Sequence, residues 1–222
     1  MSLQAILNFI RTFPLELPVL LLFLTGSLLV LIRDWRVSIV ALLAQYLAMG
    51  LVLAHLVRPE IALAKVLVGL FICPMLYLSA RQAGWRYQLT FSQFGLRALL
   101  GQRTLTGEAF PPGRAFRLIL LLLLGVTTFS LAQTYPIDNL PQVVSVAVYW
   151  LAATGLLILM LTEESLKLGH GMLTAIIGFE LWYTTLEQSL FIVGLWGAVN
   201  LLLALAVGYL TAVRGVKLEE DY

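Results

Sequence analysis

From residue 166 to residue 186 the chain reads LKLGHGMLTAIIGFELWYTTL, an apolar run with a glutamate, Glu180, in its interior. A membrane-spanning helix needs roughly 20 mostly apolar residues, and this run meets that length. An acidic side chain inside such a helix costs about 2.5 to 3.5 kcal/mol on insertion scales and needs a compensating reason. We therefore interpret the run as a transmembrane helix and Glu180 as its candidate functional residue.

Comparable apolar runs recur along the 222 residues, and the whole composition is that of a membrane protein. Charged residues make up 12% of the chain and hydrophobic residues 60%, whereas soluble domains carry about 25% charge. The sequence therefore predicts an all-α, polytopic transmembrane helix bundle of about seven spans. The predicted spans are residues 17–32, 37–57, 61–80, 115–133, 143–161, 166–186 and 189–213.

The basic residues predict an orientation, because Lys and Arg favour cytoplasmic loops. Of the fourteen, Arg11 and Arg58 fall on one side of the seven spans and Lys65 falls inside the third, so the other eleven share the opposite side. We expect the N-terminus outside and the C-terminus in the cytoplasm. The expected location is a bacterial or archaeal plasma membrane, or an energy-transducing internal membrane.

Charge and turn signals divide the chain into five segments. These are a three-span N-terminal bundle (1–80), a cytoplasmic or interfacial amphipathic loop (81–114), a linking span (115–134), a second three-span module (143–213) and a cytoplasmic tail (214–222). In the loop, aromatic residues lie among arginines, as in helices that lie among lipid headgroups. The loop serves either as a topological anchor or as a docking surface for a cytoplasmic partner.

A weak sequence similarity links the two three-span segments. The stretch GSLLV at 26–30 resembles GLLIL at 155–159, and the two spans concerned have the same predicted orientation. A three-plus-one-plus-three layout with an internal repeat is one interpretation. The other is that apolar helices resemble one another through composition alone.

Several functional classes are excluded or disfavoured by what the chain contains. The lone cysteine, Cys73, excludes an intramolecular disulfide and any multi-cysteine zinc or iron–sulfur site. A net charge of +2 with scattered basic residues gives no reason to expect nucleic acid. Without a catalytic triad order, a phosphate loop or metal-ligand spacing, we expect no catalytic site, cofactor or metal of its own.

Two ionisable residues lie clearly within spans, at matching depths. Lys65 follows Pro59 by six residues and Glu180 precedes Leu186 by six, so each lies about 9 Å below the outer surface. A Lys–Glu pair across a helix interface would reduce the insertion cost of both residues. The pair is either a static structural contact or part of a proton relay.

Four more residues are candidates near that pair. Glu187 lies seven residues after Glu180, which places both on one helix face and suggests an exit toward the outer surface. His170, near the cytoplasmic end of the same span, is either an inner relay or an interfacial polar residue. Gln45 and Asn200, each near mid-span, are predicted to form hydrogen bonds between helices.

Residues 143–213 resemble the three-helix K-type membrane subunit of respiratory complex I and its relatives in Mrp-type antiporters and membrane-bound hydrogenases. The similarity lies in GLLIL at 155–159, IIGFEL at 176–181 and AVNL at 198–201. It implies that Glu180 occupies the position of that family's intramembrane glutamate. Asn200 departs from the family, because the third K-type helix usually carries a second glutamate there and Asn cannot carry a proton.

The first half is similar, more loosely, to the hydrogenase component-E type subunit, a protein of roughly seven spans that ends in a K-type module. The similarity lies in PEIALAK at 59–65 followed by Pro74. It implies a subunit of an ion-translocating complex, surrounded by membrane lipids and by other integral membrane subunits of the antiporter type.

In that function, Glu180 would be the principal protonatable group and Lys65 its electrostatic partner. Glu187 and His170 would be outer and inner relays, and Asn200 would form a hydrogen bond near the path. Two alternatives are a non-conducting scaffold or assembly subunit, and a stand-alone small transporter. The transporter has less support, because no pair of broken helices marks a substrate site.

Overall fold

The structure is a computed structural model that describes residues 14–32, 34–99, 114–138 and 140–220, with side chains for 14–32, 34–83, 115–138 and 140–213. Within these ranges the chain is all-helical, which confirms the predicted fold class for the described part. The helices are α1 (Glu16–Leu31), α2 (Trp35–Leu56), α3 (Pro59–Leu99), α4 (Arg114–Thr134), α5 (Gln142–Leu161), α6 (Ser165–Leu186) and α7 (Leu190–Glu220).

Five of these helices contain a stretch long and apolar enough to cross a membrane. The stretches are Trp35–Leu56, Pro59–Ala83, Ala115–Thr134, Gln142–Leu161 and Leu190–Val213. α1 is apolar but shorter, at 16 residues, and α6 carries Lys167 and Glu180 within its 22 residues. The fold is therefore that of a membrane-embedded helical protein.

Most helix boundaries lie where turn and charge signals predict them. α3 begins at Pro59, a residue favoured in the first turn of a helix because it needs no backbone N–H partner there. α2 follows Asp34, whose side chain accepts a hydrogen bond from the Arg36 backbone N–H at 3.0 Å. The predicted break at Glu187-Gln188 is confirmed, since α6 ends at Leu186 and α7 begins at Leu190.

α3 is longer than its predicted span, because the helix continues beyond the apolar stretch, which ends at Ala83. The helix runs for 41 residues and passes Pro74 without interruption. Charged residues after position 80 signal the edge of the apolar stretch, but Arg, Gln and Ala are good helix formers and do not stop the helix. Residues 100–113 of the predicted loop lie outside the described part, so its interfacial position and its partner remain predictions.

The helices pack as two layers of three. α1, α2 and α3 form one layer, and α5, α6 and α7 form the other. Each helix contacts its counterpart across the layers: α1 with α5, α2 with α6, and α3 with α7. α4 lies outside the layers against α5 and α1. This places α2 and α6, the middle helices, at the centre of the molecule.

The backbones of α5 and α6 approach each other closely at Gly155. A Cβ built on Gly155 would lie 2.5 Å from the backbone nitrogen of Ala175 and 2.7 Å from the carbonyl oxygen of Gly171. Small residues allow such backbone contact in membrane bundles, where packing rather than water exclusion holds helices together. α6 therefore packs against α5 through backbone contact around Gly171 and Ala175.

The C-terminal end of α1 accepts hydrogen bonds from two cationic side chains of other helices. Arg117 of α4 donates from Nη1 to the carbonyl oxygen of Val30 at 3.1 Å. Lys167 of α6 donates from Nζ to the carbonyl oxygen of Ile32 at 2.9 Å. The last carbonyls of a helix lack partners within it and carry its negative dipole end, so both contacts stabilise this terminus.

Candidate functional site

Lys65 and Glu180 form an ion pair at the centre of the bundle. The Lys65 Nζ lies 2.7 Å from the Glu180 Oε1, and both side chains are completely buried, at 0% exposure. The contact predicted from their matching depth is therefore confirmed. Because α3 and α6 belong to different layers, the pair joins the two halves of the molecule.

Asn200 of α7 completes the contacts of that carboxylate oxygen. Its Nδ2 donates to the Glu180 Oε1 at 3.1 Å, and Asn200 is itself fully buried. The predicted interhelical hydrogen bond of Asn200 is confirmed. Two donors thus share Oε1, while Oε2 has no hydrogen-bond partner among the described residues. An oxygen with unused lone pairs is the position at which this carboxylate can accept a proton.

Tyr46 of α2 is a fourth member of the site that sequence reasoning missed. Its ring packs directly on Gly69 of α3, where an added Cβ would lie 2.4 Å from the Tyr46 Cβ. The side chain is fully buried and close enough to Glu180 to interact with it electrostatically. Its hydroxyl has no hydrogen-bond partner in the described part of the chain. The sequence held one signal that could have identified Tyr46. It follows Gln45, and burying two adjacent polar side chains at mid-span is costly.

A second polar contact joins α2 and α6 beside the ion pair. Thr174 donates from Oγ1 to the Gln45 Oε1 at 3.2 Å, and both residues are fully buried. The interhelical role predicted for Gln45 is confirmed. Thr174 was missed, because a single hydroxyl in an apolar helix more often bonds within its own helix.

His170 lies one helical turn before Thr174 and is buried within the bundle. Its exposure is 1%, and its Nδ1 lies 2.6 Å from the carbonyl oxygen of Leu166. Its Nε2 has no hydrogen-bond partner among the described residues. His170 therefore faces protein rather than solvent, and both its depth in the membrane and its relay role stay predictions.

Glu187 does not continue the inner face of α6. The helix ends at Leu186, and Glu187 has extended backbone, with φ −126° and ψ 109°, and an exposed side chain. The seven-residue spacing from Glu180 applies only while the helix continues, so the predicted shared face is wrong. If Glu187 acts as an outer relay, it does so as a group on the protein surface.

The chemistry available at this site is acid–base chemistry. In the described part of the chain, no group of three or more His, Cys, Asp or Glu residues is placed to hold a metal ion. Cys73 is buried in α3 as a free thiol. What the four helices bring together is one carboxylate, one ammonium, one amide and one phenol, from α6, α3, α7 and α2. We call Glu180, Lys65, Asn200 and Tyr46 the four-helix site.

The chain was compared with protein-family models, with curated proteins and with solved structures. No family model matches it, and no match was found among the curated proteins or the solved structures.

Proposed function

We propose that this chain is an integral membrane subunit of a complex I-like, hydrogenase-like or Mrp-like ion-translocating assembly, with Glu180 as its protonatable group. The observation that carries the proposal is the fully buried ion pair between Glu180 and Lys65. Ionisable residues inside a membrane are rare, face the bundle interior and mark ion or proton pathways. The resemblance of residues 143–213 to K-type subunits points to the same role.

The contacts of Glu180 suggest how a proton is taken up and released. When Oε2 accepts a proton, the carboxylate becomes neutral and Lys65 is left as a buried cation without its counterion. That state is costly, so protonation of Glu180 favours movement or deprotonation of Lys65. The ion pair thereby couples the charge of α6 to that of α3. Such coupling is what a subunit needs if it passes ions or responds to neighbouring antiporter-like subunits.

The proposal includes an arrangement in the membrane. All seven described helices cross it, with the N-terminus outside and the C-terminus in the cytoplasm. The membrane is a bacterial or archaeal plasma membrane, or an energy-transducing internal one. The chain holds no cofactor and contacts lipids and other membrane subunits, with residues 81–114 available to a cytoplasmic partner.

The direct test is Glu180→Gln in the intact assembly, purified from native membranes and reconstituted into liposomes. Gln keeps the size of the side chain and an oxygen that can accept from Asn200. Unlike a carboxylate, its amide takes up no proton near neutral pH. We expect ion translocation, followed with a pH-sensitive dye, to fall to the level of empty liposomes while the subunit still co-purifies. Glu60→Gln, at an exposed carboxylate in the first turn of α3, is the control and should translocate normally. Unchanged translocation by Glu180→Gln would refute the role.

A second candidate function, a non-conducting scaffold, is favoured by one observation. The ion pair links α3 to α6 across the layers, as a contact that only fixes helix register would. In a scaffold, replacing both residues with apolar ones leaves activity intact, whereas each single replacement destabilises the assembly. Loss of translocation in a stably assembled double variant therefore excludes the scaffold.

A further inference from the structure

Five buried side chains of α2, α6 and α7 each have one polar atom without a hydrogen-bond partner among the described residues. The atoms are Gln45 Nε2, Tyr46 OH, His170 Nε2, Glu180 Oε2 and Asn200 Oδ1. The five side chains are at most 1% exposed. Roughly 90% or more of buried polar groups in proteins have a partner, either in the protein or in ordered water. A cluster of such atoms on adjacent helices therefore points to internal water.

The five atoms fall into two groups. Tyr46, Glu180 and Asn200 belong to the four-helix site, where the Asn200 amide already contacts the Glu180 carboxylate. Gln45 and His170 lie nearer the Ser165 end of α6. Gln45 is adjacent to Tyr46 in sequence and bonds to Thr174, one turn after His170. Along α6, His170 and Glu180 are about 15 Å apart at 1.5 Å per residue.

The donors and acceptors in each group match what a water molecule offers. In the four-helix site, a phenol donates and two oxygens, of a carboxylate and an amide, accept. One water can accept from Tyr46 and donate to Glu180 and Asn200. In the other group, the His170 Nδ1 donates to the Leu166 carbonyl, so its Nε2 is an acceptor in the neutral ring. A water can accept from Gln45 and donate to that nitrogen.

The two ends of α6 differ beyond the ion pair. Toward the Ser165 end, α6 buries the polar side chains of Thr174, His170 and Lys167, together with apolar residues and glycines. Toward Leu186 it buries only Leu181 and Thr184 after Glu180. Polar atoms without partners occur in the first direction and not in the second among the described residues of α6. The polar atoms that could bind water on α6 thus lie between Glu180 and the Ser165 end of the helix.

We propose that α6 borders a buried, water-bridged path that leads from His170 past Thr174 and Gln45 to the Oε2 of Glu180 and opens at the Ser165 end. The proton-supply role of the path rests on the proposed function, whereas the water positions do not. Gln45 and Thr174 are positioning residues that hold the water. A proton reaching Oε2 converts the carboxylate to the acid, and each water that releases a proton takes one from the water behind it.

Radiolytic hydroxyl-radical footprinting of the purified full chain tests the water positions without any transport assay. X-rays generate radicals from bound water, which modify nearby side chains even when these are buried. We expect Tyr46 and His170 to be modified, relative to the unfolded chain, well above Leu22 and Leu151. Those two leucines are equally buried, in α1 and α5, and serve as references. Protection of Tyr46 and His170 equal to that of the leucines would overturn the proposal.

A pair of threonine variants tests the path itself. Thr174→Val removes a hydroxyl that bonds across to α2. Thr154→Val removes one that is equally buried but bonds to carbonyls of its own helix, at 2.7 Å from Trp150 and 3.2 Å from Leu151. We expect Thr174→Val to lower His170 modification toward the leucine level and Thr154→Val to leave it unchanged. No effect of Thr174→Val, or an equal effect of both variants, would contradict the path.

The two proposals fail in different ways. If Tyr46 and His170 are modified but Glu180→Gln translocates ions normally, the water path stands and the proposed function is wrong. If Glu180→Gln abolishes translocation but both residues stay protected, the function stands and the path is wrong.

Discussion

The two oxygens of the Glu180 carboxylate have different surroundings, and the difference defines what each neighbour contributes. Oε1 accepts from the Lys65 ammonium and the Asn200 amide, whereas Oε2 has no partner among the described residues. Lys65 supplies the counter-charge and Asn200 supplies orientation. Removing either cation or anion therefore leaves a buried charge, whereas removing Asn200 leaves the pair intact.

This asymmetry predicts a non-additive effect on stability. Lys65→Met or Glu180→Leu alone should destabilise the fold by about 3 to 5 kcal/mol, because each leaves its partner buried and unpaired. The double variant should be destabilised by less than either single variant. Reversible unfolding in mixed detergent micelles measures all three. Additive losses would show that the two side chains act independently in the folded protein.

Site residues could be identified from the sequence where a side chain has one structural explanation at its position. Lys65 and Glu180 were identifiable because charge within an apolar run needs a partner, and depth arithmetic placed them together. Tyr46 and Thr174 were not identified, because a phenol or a hydroxyl in a span has ordinary structural uses. Only the packing of α2 against α3 and α6 shows that Tyr46 lies on Gly69 and that Thr174 reaches across to Gln45.

At the scale of the element, the contact between α5 and α6 depends on the absence of a side chain at Gly155. A Cβ there would lie within 3 Å of two backbone atoms of α6, which cannot move as a flexible side chain can. Gly194 of α7 is a contrasting position, since a Cβ there would meet nothing within 4 Å.

Gly155→Ala should therefore separate α5 from α6 and destabilise the protein by about 1 to 3 kcal/mol, the usual cost of overpacking. Gly194→Ala should be neutral or slightly stabilising, because Ala has the higher helix propensity. Thermal unfolding of both variants in the same detergent gives the comparison. Equal melting temperatures would show that the helices can separate at this point without cost.

Helix ends were predictable where a residue type stops a helix, and not where only the hydropathy changes. Pro59 and the break before Leu190 mark real boundaries. The charged residues after position 80 mark the end of an apolar stretch, yet α3 continues to Leu99. The opposite error concerns Glu187, where helical periodicity was extended one residue past the end of α6.

At the scale of the whole molecule, the two layers meet helix by helix, with α4 outside. The all-helical class followed from composition and run length, because continuous apolar runs of about 20 residues form helices in a bilayer. The pairing of layers did not follow, because apolar runs carry no information about which of their faces meet. The glycines and buried polar residues carry that information, and their partners are distant in sequence.

The orientation of the molecule gives a test with the two ends of α6. Glu164 and Gln188 are exposed and flank this helix. In a Cys73→Ala background, Gln188→Cys should react with a membrane-impermeant thiol reagent added outside intact cells. Glu164→Cys should react only after the membrane is opened, because the positive-inside rule places its loop in the cytoplasm.

Labelling of both positions from the outside would show that α6 does not cross the membrane. The reverse pattern would invert the topology and place the Ser165 end of the water path outside the cell.

The hydrogen bonds from Arg117 and Lys167 to the C-terminal end of α1 have a consequence for membrane insertion during synthesis. α1 is 16 residues long, about 24 Å at 1.5 Å per residue, whereas the hydrocarbon core is about 30 Å thick. In the proposed membrane arrangement, its last carbonyls would therefore lie where they need donors from the protein. Those donors belong to α4 and α6, which leave the ribosome long after α1. Among the described helices, the earliest to be synthesised thus depends on two later ones for the donors at its C-terminal end.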